Sequence, residues 1–351
     1  MPIDAPPPPV PQAVMQQVYE LSKTPFKYGP VLTPPAKTYY DCASVFRHGG
    51  RWYMVYASTV NTKGYETELA VSDDLLHWTQ VGTVLPYGGE EGAWDRWQAD
   101  GGVGLIDPAW GGTNALGTHD GKYWLSYLGG ALQGYETDPL SIGIAYTTDP
   151  TDGKAWTRLP NNPVLKPSDP DVRPFEQKTL YKSFILRDPT KSLGREFIMY
   201  YNGKQVGPGT ERIGIALSDD LRTWKRYGDG PVIDNGPRGI SGDPQLIKIP
   251  AADLGDAANV EGAGGRDVWV MHYFGHVWKP AAFDTFACSY DLVHWTKWDG
   301  PHLIEPSEPY DNVFAHKPWV FKHDGVVYHF YCCVSKDGTR TIALATSKKT
   351  W

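Results

Sequence analysis

Cysteine and methionine are scarce in this chain, and clustered positive charge and long apolar runs are missing. Each shortage removes a class of protein. Only four of the 351 residues are cysteine. Cys42, Cys288, Cys332 and Cys333 have no metal-ligand spacing, and the adjacent pair is a poor disulfide framework, so buried thiols in a reducing compartment are expected. The 33 basic and 40 acidic side chains leave a net charge of −7. With no Lys and Arg cluster above the background, a phosphate backbone is repelled on average, which argues against nucleic acid as a partner. Met1-Pro2-Ile3-Asp4-Ala5 and the prolines after it carry neither a basic start nor an apolar core. Neither a signal peptide nor a membrane span is expected, and a cytoplasmic location is.

What the chain does have is glycine, proline and aromatic residues: 38 Gly, 30 Pro, 14 Trp and 21 Tyr. That mixture suits many short strands and tight turns and predicts an all-β fold. Five times a segment of small and apolar residues runs into a polar turn ending in tryptophan. The copies run from Leu69 to Trp78, Ile144 to Trp156, Ile215 to Trp224, Phe286 to Trp295 and Leu344 to Trp351. Self-similarity at a period of roughly 70 residues fixes the architecture before any local motif is read.

Inside each period two further strands precede the tryptophan turn. The segment Ser44–Arg47, the turn His48-Gly49-Gly50 and Arg51–Tyr56 form an aromatic, β-branched hairpin with glycine in its loop. With one more strand after each tryptophan, the unit is a four-stranded blade, and five blades close a β-propeller. Residues 31–351 are assigned to this five-bladed propeller domain. Residues 1–30 stand outside the repeat, as a polyproline-like arm from Pro6 to Pro11 and a short amphipathic helix over Gln12 to Leu21. This segment is read as a strap on the propeller, or as an arm reaching a second copy in a homo-oligomer.

In a propeller the innermost strand of each blade starts at the central funnel, so residues there face a ligand. Aligning the hairpins on their turns places Asp41, Asp100, Tyr181-Lys182, Asp243 and His316-Lys317 at that start. Three carboxylates at one register raise one another's pKa and cost stability unless chemistry uses them. A second acidic ring, Glu66, Glu136, Glu211 and Asp284, stands at the entry to each third strand, which lies at the same end of an antiparallel meander. These are candidates for hydroxyl recognition or for the acid role. Lys182, Lys317, His316 and Arg212 add cationic donors that suit a carboxylate or phosphate; the alternative is that each lysine neutralises a neighbouring Asp. Trp97, with Trp94, Trp110 and Trp278, is a candidate for stacking on a sugar face. Asp100 and the acidic rim are the place where a calcium ion would find ligands, but no loop has calcium spacing and no cofactor or metal is assigned.

The pattern over residues 38–351 resembles the five-bladed propeller glycoside hydrolases and phosphorylases of families 43, 32 and 130. Asp41 leading into Ser44-Val45-Phe46 is similar to the catalytic-base strand of family 43. Gly242-Asp243-Pro244-Gln245 sits where that family has its general acid, and His316-Lys317-Pro318-Trp319-Val320 resembles the last inner strand of family 130. Family 43 has an Asp where this chain has Tyr181-Lys182, and Arg187-Asp188-Pro189 matches a fructan-enzyme motif in letters but falls in a turn far from the funnel. The resemblance implies cleavage of a glycosidic bond by two carboxyl groups, with an oligosaccharide or glycoside as substrate. Asp41 is then the base, Asp243 the acid, and Asp100 orients substrate or tunes a pKa. Carboxylates on non-adjacent blades leave room for a water, which favours inversion. Surplus cations point to an acidic glycan. A phosphorylase acting on mannosides with inorganic phosphate, or a carbohydrate-binding propeller without catalysis, are the alternatives.

Overall fold

The computed structural model describes residues 7–349 and 351, so residues 1–6 of the expected arm lie outside the description. Helix α1, Gln12–Ser22, is followed by a short strand β1, Phe26–Pro30. Everything after it is nearly all-β. The first sheet is the meander β2 (Thr38–His48), β3 (Arg51–Val60), β4 (Glu66–Ser72) and β5 (Thr79–Leu85); the second is β6 (Gln98–Val103), β7 (Tyr123–Gly130), β8 (Ser141–Thr147) and β9 (Thr157–Arg158).

A twelve-stranded sheet follows, and it is itself three meanders. These are β10 (Thr179–Arg187) to β13 (Lys225–Tyr227), with β11 (Phe197–Lys204) and β12 (Glu211–Ser218) between; β14 (Ile240–Ile249) to β17 (Thr296–Lys297), with β15 (Val268–His276) and β16 (Ala282–Ser289); and β18 (Phe314–His323), β19 (Val326–Val334) and β20 (Arg340–Thr346). Single parallel bridges, Glu211 with Ile240 and Ala282 with Phe314, join one meander to the next. The first strands touch in a cycle: β2 with β6, β6 with β10, β10 with β14, β14 with β18, and β18 with β2.

The last meander runs out of chain after its tryptophan turn. Its fourth strand comes from the other end: β1 pairs antiparallel with β20, Phe26 opposite Thr346 and Pro30 opposite Ala343. Residues 26–30, placed outside the repeat on sequence grounds, are therefore part of it. Helix α1 buries Val14, Met15 and Val18 in a cluster with Ile247, Val268 and Trp298 of its own chain, and Tyr19 stacks on Trp298 at 5.4 Å.

Strand β11 is buried at every position but the last, without alternation, because neighbouring meanders cover both of its faces and water reaches neither. At the outer ends the tryptophan turns are closed by their own side chains. Ser72 Oγ accepts from Leu75 N at 2.9 Å, Asp74 Oδ1 from Leu76 N and His77 N, and Trp78 Nε1 donates to the Leu75 carbonyl. Ser218, Asp220 and Trp224 repeat this, as do Ser289, Asp291 and Trp295. The Asp188 carboxylate likewise accepts from Thr190 N and Ser192 N, so the Arg187-Asp188-Pro189 segment is turn chemistry.

Candidate active site

The pocket lies where the first strands meet, and bulges shape it. The ladders of β2, β10, β14 and β18 with their hairpin partners slip between Asp41 and Ser44, Leu180 and Ser183, Gly242 and Gln245, and His316 and Trp319. Each bulge releases two residues from pairing and turns them toward the centre. Cys42, Asp243 and Lys317 hold left-handed backbone at φ 52°, 51° and 66°, a conformation that costs a non-glycine residue about 1–3 kcal/mol and gathers at functional sites. Strand β6 has no bulge and pairs continuously through Asp100 with Leu128.

The bulges correct the register. Cys42, not Asp41, stands level with Tyr181, Asp243 and Lys317, and Asp41 is level with Gly242 and His316. Asp41 is wholly buried. Its Oδ2 accepts from Lys317 Nζ at 3.0 Å, Arg340 Nη1 at 2.6 Å and the Tyr135 hydroxyl at 3.2 Å. Burial opposes its charge, but the two cations win and hold the carboxyl well below its ordinary range. A carboxylate so engaged has no free lone pair for a water or a sugar. Asp100 is similarly enclosed, 2.9 Å from Lys182 Nζ.

A pocket on the open side of this centre is lined by Asp100, Glu136, Lys182, Glu211, Asp243 and Lys317, with Cys42, Tyr181, Asn202 and Phe274 between them. Cys42, Lys182, Asp243 and Lys317 also line a smaller space deeper in the centre, which Glu136 and Glu211 do not reach. The bulge residues therefore form the floor and the two glutamates the outer wall. Burial drives the Glu211 carboxyl up to about 7, Lys204 at 3.4 Å opposing this and Glu136 adding to it. Burial likewise lifts Asp243 to about 6, against Lys317 and Lys182. Glu136 Oε1 lies 3.5 Å from Lys317 Nζ and accepts from the Tyr65 hydroxyl at 3.4 Å. Cys42 Sγ touches Asp243 Oδ2 and Lys317 Nζ, each at 3.4 Å.

The remaining sequence candidates lie elsewhere. Glu66 accepts from the Tyr87 main chain. Arg212, alternating with Glu211 along β12, pairs with Asp234 at 2.9 Å and with Gln205. Asp284 is buried against His329, 2.9 Å away. His316 is buried with Nδ1 at the Cys332 carbonyl; burial and the Lys317 charge keep it neutral. Trp97 packs on Tyr87, Trp94 on Tyr127, Trp278 on Phe283, and Trp110 is core. Lys182, Lys317 and Arg212 each face a carboxylate, so the neutralisation reading holds and the case for surplus cations falls. Sequence reasoning missed Cys42, Tyr65, Tyr135, Asn202, Lys204 and Arg340; the only signal for any of them was the bulge register that brings in Cys42.

A pocket walled by carboxyl groups at the hub of such a fold defines a carbohydrate-cleaving enzyme, and comparison with solved structures gives the family. The chain is 43% identical to BT0996, a protein solved as a complex with RGII, covering 97% of this chain and 96% of that one with a TM-score of 0.88. It is 42% identical to a second solved protein, named a glycoside hydrolase, with the same coverage and TM-score. The chain belongs to the propeller glycoside hydrolases and is a glycosidase acting on carbohydrate. A thermostable family-43 glycoside hydrolase, 15% identical with a TM-score of 0.61 over 90% of this chain and 91% of that one, shares the fold. No protein-family model matches, and no curated protein does.

Proposed function

We propose that the chain hydrolyses a glycosidic bond at the centre of a five-bladed propeller, with Glu211 as proton donor and Glu136 as the ionised carboxylate that acts at the anomeric carbon, directly or through water. The cycle of first strands and the fourth strand supplied by β1 support the five-bladed reading. The observation that carries the roles is that Glu136 and Glu211 wall the open side of the pocket while Glu211 keeps its proton up to about 7. Two carboxyls with environments that set their proton affinities apart are what acid-assisted glycoside cleavage needs. A sugar inserted toward Asp243 and Lys182 on the floor leaves its glycosidic oxygen at the wall.

These roles replace Asp41 and Asp243 as base and acid. They also remove the reason for expecting inversion, which rested on carboxylates from non-adjacent meanders; Glu136 and Glu211 sit on neighbouring ones. With the lysines paired, an acidic substrate and attacking phosphate lose their support. RGII, the ligand named with BT0996, is the first glycan we propose as substrate, and breakdown of such a polysaccharide as the setting.

The test is sugar release from that glycan and from aryl glycosides, with and without inorganic phosphate. Glu211→Gln should cost on the order of 10²–10⁴ in kcat, the range for general acid catalysis. The donor works only when protonated, so wild-type kcat/KM should fall as pH rises through about 7, and the variant should lose that limb. Near-normal turnover by Glu211→Gln, with loss in Asp243→Asn, would return the acid role to Asp243. Release only with phosphate would make the enzyme a phosphorylase.

A further inference from the structure

Two buried titratable groups, Asp284 and His329, take no part in the proposed chemistry, yet they form a continuous line between the N-terminal segment and the pocket. Thr24, buried in the link between α1 and β1, has Oγ1 3.4 Å from His329 Nδ1. His329 Nε2 lies 2.9 Å from Asp284 Oδ2, and neither ring nor carboxyl is exposed. The bridge of Ala282 with Phe314 sets Asp284 level with His316, beside the bulge at Lys317. The Lys317 main-chain N–H acts on the Asp284 carboxyl, whose Oδ1 has no other partner among the described residues. Lys317 in turn places its ammonium between Asp41, Cys42 and Glu136.

We propose that the Thr24–His329–Asp284 line is a positioning device: it fixes the left-handed bulge at Lys317, and through the Lys317 ammonium the place of the Glu136 carboxylate. This rests on the role given to Glu136 above. A lysine held only by its side chain would swing with the bulge, because a non-glycine residue at φ 66° persists only where its surroundings over-determine it. Asp284 supplies that constraint from the main-chain side, and Asp41 from the side-chain side. Burial, with the nearby Asp243 carboxyl, pushes Asp284 well above its ordinary range, and burial pushes His329 well below its own. Both are then neutral near pH 7. The Asp284 hydroxyl donates to Nε2, the Nδ1 hydrogen is directed at Thr24, and Oδ1 is left for the Lys317 N–H. An asparagine amide reproduces this pattern, with its NH₂ on Nε2 and its oxygen toward Lys317.

The experiment compares Asp284→Asn, Asp284→Ala, His329→Leu and Thr24→Val in steady-state kinetics, with melting temperature measured on each. Asp284→Ala and His329→Leu should lose about 10²-fold in kcat, the scale of a displacement near 1 Å at the reacting groups, with KM little changed. Asp284→Asn should retain most of the activity. Thr24→Val, at the outer end, is the variant least prone to misfolding and should show a smaller loss in kcat with the same unchanged KM. Wild-type kcat in a folded Asp284→Ala, or equal impairment of Asp284→Asn and Asp284→Ala, would overturn the proposal. Glu136→Gln run alongside separates the two readings: activity in that variant removes the catalytic assignment itself, whereas its loss beside a fully active Asp284→Ala removes only the positioning line.

Discussion

The outer turns and the central bulges are the two ends of the same repeated unit, and they have been used in opposite ways. At the turns three units keep the same Ser, Asp, Leu and Trp with the same hydrogen bonds, and Leu75, Leu221 and Leu292 all stand at φ between 61° and 69°. At the bulges the equivalent positions hold Cys42, Tyr181, Asp243 and Lys317, four different chemistries on one backbone shape. Left-handed strain occurs at both. At the turn a buried leucine and a closed set of hydrogen bonds compensate it locally, so the unit is self-sufficient. At the bulge compensation comes from ion pairs that span the chain, Arg340 and Lys317 to Asp41 among them. Repetition here marks structure, and departure from repetition marks the site.

Three substitutions sharpen this contrast. The largest effect is expected from Asp41→Asn, which leaves Lys317 and Arg340 buried without their counter-charge; removing one partner of a buried ion pair costs about 3–5 kcal/mol, measurable by urea unfolding. Because the folded state depresses the Asp41 pKa, that advantage over the variant is present above roughly pH 4 and fades as pH falls below it. Next, glycine should act in opposite directions at the two ends. Leu75→Gly relieves about 1–2 kcal/mol of left-handed strain but gives up roughly 1.5–3 kcal/mol of side-chain burial, so its melting temperature should fall with kcat unchanged. Asp243→Gly relieves the same strain and removes a desolvated carboxyl, so its melting temperature should rise while kcat/KM drops. Equal signs in the two melts would break the comparison. Smallest is Ser218→Ala, which strands the Leu221 N–H and should cost about 1 kcal/mol with no change in turnover.

The repeat was legible because its turns carry their own hydrogen-bond partners within a few residues, so the tryptophan pattern alone locates the strands. Glu136, Glu211, Lys182, Lys317 and Asp243 were legible as a group because meander geometry puts first- and third-strand starts at one end. The offset between Asp41 and Asp243 was not. Side chains alternate faces along a strand, so a one-residue error in placing a bulge exchanges a pocket residue for a buried one. Nor were Arg340 and Tyr135 legible as partners of Asp41, since they reach it from 299 and 94 positions along the chain. The closing strand β1 was missed because five residues with two glycine or proline positions, Phe26–Pro30, carry no repeat signature.

The pairing of β1 with β20 also sets how the molecule resists being pulled. Phe26 lies opposite Thr346, and the polypeptide leaves both strands at that same end. Tension applied between the segments flanking these two residues therefore loads the Phe26 end first and peels the bonds one after another, instead of shearing all of them together. The ring's seam is a zipper under force, and a tether fixed on both sides of it would part this strand before it disturbed the carboxylates at the hub.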